Sequence, residues 1–86
     1  MYSVLFSDEA KKLFAKLGKE DQGRIISALE RCRIRPAQFL KRLVGHPYYS
    51  LRAGDQRIII ELKTEEGMLL VMTIEHRKKS YKHRPK

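Results

Sequence analysis

Two arginines, Arg52 and Arg57, stand either side of the tight-turn signal Gly54-Asp55. The residues around them, Tyr48 to Ile60, form two apolar runs split by a two-residue glycine turn, which is a hairpin signature. With Gly54 and Asp55 as the loop, Ala53 pairs with Gln56 and Arg52 lies directly opposite Arg57 on one face. Like charges in that relation destabilise a sheet, so the pair points to an anion held between or above them. Guanidinium forks bind phosphate bidentately and stay charged at any working pH. Phosphodiester cleavage builds negative charge on the phosphate oxygens, and converging arginines stabilise it.

The C-terminal end adds candidates of the same kind. Residues 76–86 carry Arg77, Lys78, Lys79, Lys82, Arg84 and Lys86 and no acid, so they supply +6 of the formal net charge of +9. Such clustering suits a polyanion, most simply nucleic acid or an acidic protein; the competing reading is a solvated tail that keeps the protein soluble. Tyr81 follows Arg77 by four residues among His76, Lys78, Lys79, Lys82 and His83. A phenol surrounded by cations is suited to accept a proton, to stack on a base, or to anchor the tail. His76 and His83 have acid–base capacity. Without a Cys partner, a His-Glu helical pair or a carboxylate cluster, however, the pattern argues against a metal site. There is no glycine-rich phosphate loop and no nucleophile elbow. Cys32, the single cysteine, lies on an apolar helix face and reads as core.

The elements that must position these residues are few. Eighty-six residues make one small domain, expected to span 1–86 with a basic tail over 76–86. A chain of this length buries only about 60% of its unfolded surface. The longest apolar run, Met68 to Ile74, is too short to span a bilayer. The N-terminus lacks the pattern of a secretory signal, and a lone cysteine forms no internal disulfide, so a cytoplasmic location is expected. Tyr2 to Ser7 suits a short strand. Ser7 is placed to cap a helix opened by Asp8 and Glu9, with Ala10, Leu13, Phe14 and Leu17 on one face. Gly18 is the natural stop. A second helix opens at Glu20 and Asp21, presents Ile25, Ile26, Leu29 and Cys32, and ends before Pro36.

Between Ala37 and Pro47 the pattern allows a helical turn or a packed loop. Three strands follow, over Tyr48–Ala53, Gln56–Lys63 and Met68–Arg77. A three-residue Glu65-Glu66-Gly67 loop would set Leu62 against Leu70, Ile60 against Met72 and Ile58 against Ile74. That register places Arg57 across from Glu75, with Arg52 and Arg77 on the same open face. Two ion pairs, Arg57 with Glu75 and Arg77 with Asp55, would account for part of this face. Three arginines against two carboxylates still leave a surplus. The fold class is α+β, with an N-terminal strand and a helical hairpin packed on one face of an antiparallel sheet (β-α-α-β-β-β).

This order of elements resembles the RelE/ParE-type toxins of toxin–antitoxin pairs. The matching segments run from Lys41 to Gly45 (KRLVG), from Tyr49 to Arg57 (YSLRAGDQR) and from His76 to Tyr81 (HRKKSY), and the resemblance covers nearly the whole chain. It implies a RelE-like, metal-independent ribonuclease that needs no cofactor and cuts mRNA in the ribosome. In such an enzyme the 2′-hydroxyl attacks the adjacent phosphorus and leaves a cyclic phosphate. On that pattern Arg57 would stabilise the charged transition state. Arg77 would bind the phosphate and assist the leaving 5′-oxygen, and Tyr81 would help take the 2′-hydroxyl proton. Arg52 would position the RNA backbone or ribosomal RNA, with His76, Lys78, Lys79, Lys82 and His83 as further RNA contacts. A RelB-like antitoxin would wrap this face. The well-studied ribonucleases carry lysines on the strand where this chain has Tyr48 and Ser50. The resemblance leaves two alternatives open: a ParE-like gyrase inhibitor on the same scaffold, or a degenerate member that only binds RNA or antitoxin.

Overall fold

The computed structural model describes residues 1–76. Its elements, in chain order, are β1 (Ser3–Phe6), α1 (Asp8–Ala15), α2 (Lys19–Ile34), α3 (Pro36–Phe39), β2 (Lys41–Arg42), β3 (Tyr49–Ala53), β4 (Gln56–Lys63) and β5 (Met68–His76). The arrangement is the expected α+β one. The strands form one sheet in the order β1-β5-β4-β3-β2. β3, β4 and β5 are antiparallel neighbours, and β1 joins the same sheet parallel to β5. The stretch left open as helical turn or loop contains both a helical turn, α3, and a two-residue strand. In that strand Lys41 pairs with Ser50 and Arg42 with Tyr49.

Ser7 caps α1 as its position predicts. Its Oγ accepts a hydrogen bond from the Ala10 N–H at 3.1 Å, satisfying a donor that a helix start leaves open. Asp8 and Glu9 fill the first turn. Gly18 marks the break between the helices, but as the extended N-cap of α2 (φ −67°) and not as a left-handed stop to α1. Gln22 Nε2 instead donates to the Phe14 carbonyl at the end of α1, at 2.8 Å. Arg35, the residue before Pro36, leaves helical geometry (φ −138°, ψ 78°) and ends α2.

The buried face of α2 is Ile25, Ala28, Leu29 and Cys32. Ile26, expected on that face, is 45% exposed. The reason is angular: Ile26 is rotated by about 100° from Ile25, whereas Ala28, Leu29 and Cys32 fall on one stripe. These side chains and Ala10 pack on Leu51, Ala53, Ile58, Ile60, Leu69, Val71 and Ile74 from the sheet. Each fully buried Leu or Ile contributes about 1.5–3 kcal/mol relative to exposure. Phe6 and Phe14 meet edge to face at 5.4 Å and tie β1 to α1.

The register of β4 on β5 departs from expectation at one end. The connection is four residues (64–67) with Lys63 opposite Met68, so Leu62 meets Leu69 and Ile60 meets Val71. An irregularity at Met72 then absorbs one residue, after which Ile58–Ile74 and Arg57–Glu75 pair as expected. Leu69 and Val71 are therefore fully buried, and Leu70 and Met72 only partly. The bulge has an anchor far away in sequence. Ser7 Oγ donates to the Met72 carbonyl at 2.7 Å, and the Ser7 N–H donates to the Val71 carbonyl at 2.9 Å. A bulge takes backbone groups out of the ladder, and the residue that starts α1 satisfies one of them.

Candidate functional site

Gly54 adopts φ +62° while Asp55 keeps a negative φ. This is the type II′ pattern, in which glycine is required at the first loop position. The register is Ala53–Gln56 and Arg52–Arg57, as expected. In a two-residue hairpin the residues flanking the loop exchange hydrogen bonds. The next pair is then the closer, non-hydrogen-bonded kind, with Cα atoms about 4.5 Å apart. Leu51, Ala53 and Ile58 are buried under the helices, so Arg52 and Arg57 project from the open face, and both are exposed.

Arg57 meets Glu75 across β4 and β5. Its Nη2 and Nε both donate to Oε1, at 2.6 and 3.1 Å. This is the ion pair considered above as one account of the face. Glu75 engages one edge of the guanidinium, formed by Nε and Nη2. Neither bond uses Nη1, and the Arg57 side chain is 44% exposed. Arg52 has no carboxylate partner among the described residues.

The strand pairing brings one further cation to this face. Lys41, opposite Ser50, shares the side of Ser50, Arg52 and Arg57, and diagonal neighbours such as Lys41 and Arg52 lie about 7–8 Å apart. In the sequence Lys41 stands out only as part of a basic pair. The signal that places it lies one residue earlier, because Leu40 packs on the core and side chains alternate along an extended chain. Ile59 sits in the same cross-strand row, between Ser50 and Thr73, and is 8% exposed although it lies outside the main core. It forms an apolar floor between the cations.

His76 ends β5 opposite Gln56. The other expected site residues, Arg77, Lys78, Lys79, Tyr81, Lys82 and His83, lie outside the described residues, as does the Arg77–Asp55 pair. Among the described residues no group of three or more His, Cys, Asp or Glu is placed to hold a metal ion. No helix among them is long and apolar enough to cross a membrane. Burial pushes the Cys32 thiol up to about 11, so it is a core residue and a poor nucleophile.

Comparison with known families bears on this face. The family model described as the ParE toxin of type II toxin–antitoxin systems, parDE, matches residues 4–81. The chain belongs to the ParE toxin family. The toxin also shares its fold with solved RelE structures. The isolated E. coli RelE toxin superposes with a TM-score of 0.75 at 21% identity, covering 95% of this chain and 97% of that one. A chain of the RelBE2 toxin–antitoxin complex from Mycobacterium tuberculosis gives 0.78 at 22%, covering 88% and 98%. One from the RelB–RelE antitoxin–toxin complex of Methanococcus jannaschii gives 0.71 at 26%, covering 94% and 99%. No curated protein matches significantly in sequence. The chain is thus a toxin of the RelE/ParE type, and structural relatives of it occur in complexes with RelB-type antitoxins.

Proposed function

We propose that this toxin is a metal-independent endoribonuclease that cuts mRNA on the ribosome and so blocks translation. The observation that carries the reading is the Arg52–Arg57 pair, held side by side on the open face of the sheet with Lys41 nearby. Two guanidinium groups that would otherwise repel are stabilised by an anion, and a phosphodiester matches their forked geometry. The terminal edge of Arg57, formed by Nη1 and Nη2, grips a non-bridging phosphate oxygen, while Glu75 fixes the orientation of the guanidinium from the other edge.

The reaction is a transfer within the RNA. The 2′-oxygen forms a bond to the adjacent phosphorus as the bond to the 5′-oxygen breaks, giving a 2′,3′-cyclic phosphate and a free 5′-hydroxyl. Tyr81, as its phenolate, takes the 2′-hydroxyl proton; Arg77 binds the phosphate and hydrogen-bonds the departing 5′-oxygen, which takes up a proton from water. These two roles rest on the family resemblance. Arg52 and Lys41 hold the flanking backbone, with His76, Lys78, Lys79, Lys82 and His83 as further contacts. A RelB-like antitoxin with an acidic segment would silence the toxin by covering this face.

A second reading is favoured by one specific finding: the matching family model is that of ParE toxins. On that reading the cationic face engages gyrase. Purified toxin added in parallel to a translation reaction and to a gyrase supercoiling reaction separates the two. Cleaved mRNA with supercoiling intact, unaffected by a chelator, is expected. Intact mRNA with supercoiling inhibited would transfer the function to gyrase.

A further inference from the structure

A second group of cations lies where the hairpin tip meets α2. Here Glu20, Arg24, Ser27 and Arg31 from the helix face Arg52 and Gly54 from the hairpin across a groove of about 450 Å³, in which Arg24 pairs with the one carboxylate, Glu20. Positions 24, 27 and 31 follow the i, i+3, i+7 spacing, so one face of α2 delivers all three side chains. Arg24 is already committed: its Nη2 lies 2.6 Å from a Glu20 oxygen. Its stem is also packed against the turn, with Cδ only 3.1 Å from where a β-carbon on Gly54 would stand. Arg31 and Arg52 have no carboxylate partner among the described residues. β2 pairs with β3 only at Tyr49 and Ser50, so among the described residues β3 is a free edge at Arg52. Strand alternation turns the Arg52 backbone N–H and C=O outwards from that edge.

We propose that this groove is a second anion subsite that takes a backbone phosphate of single-stranded RNA. Arg31 is its guanidinium ligand, Ser27 adds a hydroxyl donor, and Arg24, Gly54 and the edge of β3 at Arg52 form the wall. Arg52 belongs to both surfaces, standing beside Arg57 on the open face and lining the groove. An RNA strand with one phosphate on Arg57 therefore continues over the free edge of β3 and lays a neighbouring phosphate between α2 and the turn. Continuity with the open face favours a nucleic acid over an acidic peptide. The subsite rests on the nuclease reading only for the identity of that polyanion.

The test uses an uncleavable, fully 2′-O-methylated single-stranded RNA with a fluorescent end label, titrated with the full-length toxin. Arg31→Gln should weaken binding about three- to tenfold at low salt. It should also reduce the slope of log K against log salt by about 0.7, the value for one fewer phosphate neutralised on a single strand. Arg31→Lys keeps the charge but loses the fork, and should fall between the two. Thermal melting of each variant confirms the fold. Unchanged affinity and slope in Arg31→Gln would overturn the proposal. So would a loss of polyglutamate binding without a loss of RNA binding, which would give the groove to an acidic protein. Because this RNA cannot be cut, a binding defect in Arg31→Gln upholds the subsite even if the toxin cleaves no mRNA.

Discussion

Replacing Glu75 by glutamine separates the two things its carboxylate does to Arg57: it orients the guanidinium and it opposes any phosphate bound there. A phosphate on the terminal edge of Arg57 lies roughly 6 Å from the Glu75 oxygen. At that separation two unit charges repel by about 0.7 kcal/mol at the dielectric of water and about 2.8 kcal/mol at an effective value of 20. Arg57 and Glu75 are 44% and 37% exposed, which places the repulsion near the lower figure. Relief of about 1 kcal/mol corresponds to about fivefold tighter binding. The lost ion pair costs only about 0.2–1 kcal/mol, since it is open to solvent. Glu75→Gln should therefore bind uncleavable RNA about fivefold more tightly at low salt. The gain should shrink as ionic strength rises and screens the charges, and the melting temperature should fall by no more than a few degrees. Fluorescence anisotropy at two salt concentrations, with a thermal melt alongside, reads these quantities. Equal or weaker RNA binding by Glu75→Gln at low salt would refute the placement of a phosphate on Arg57.

Three further predictions concern what holds the site in place. Ser7→Ala removes both the cap on Ala10 and the bond to the Met72 carbonyl, so urea unfolding should show a loss of about 2 kcal/mol, more than a cap alone. Gly54→Ala forces a side chain into φ +62° and towards Arg24, and should lower stability by about 1–2 kcal/mol in thermal melts; an unchanged melting temperature would mean the turn relaxes freely. The Cys32 thiol, raised by burial to about 11 from 9.0, should resist alkylation at pH 8 in the native protein. Above pH 9 the unfolded state releases this proton before the native state does, so stability should fall as pH rises from about 9 to about 11. Denaturant titrations across that range should show a shallower fall in Cys32→Ala.

The hairpin that carries Arg52 and Arg57 was fully legible in the sequence, because a two-residue glycine turn leaves one register and one set of faces. The facing of Arg57 and Glu75 was also legible, though through a loop one residue too short. The four-residue connection and the bulge at Met72 cancel beyond Thr73, so the expected and observed registers agree near the site and differ near the loop. No local pattern announces that bulge, since its anchor, Ser7, lies 65 residues away. Lys41 was hidden for a similar reason: two residues carry no periodicity, and only pairing with Ser50 makes them a strand. Ile26 misled because an apolar residue beside Ile25 fits a stripe by type but not by angle. The α2 groove was invisible for want of any sequence signal joining Arg31 to Arg52.

The central claim is that Arg57 stabilises a scissile phosphate. Single-turnover cleavage of mRNA on programmed ribosomes, with wild-type toxin and Arg57→Ala, tests it most directly. Removing a preorganised donor to a developing oxyanion typically costs about 10²–10³ in rate, and loss of the exposed Arg57–Glu75 pair leaves the fold intact. A fall of that size in the cleavage rate is expected, from a variant that melts within a few degrees of the wild type. Equal cleavage rates for the two proteins would contradict the claim.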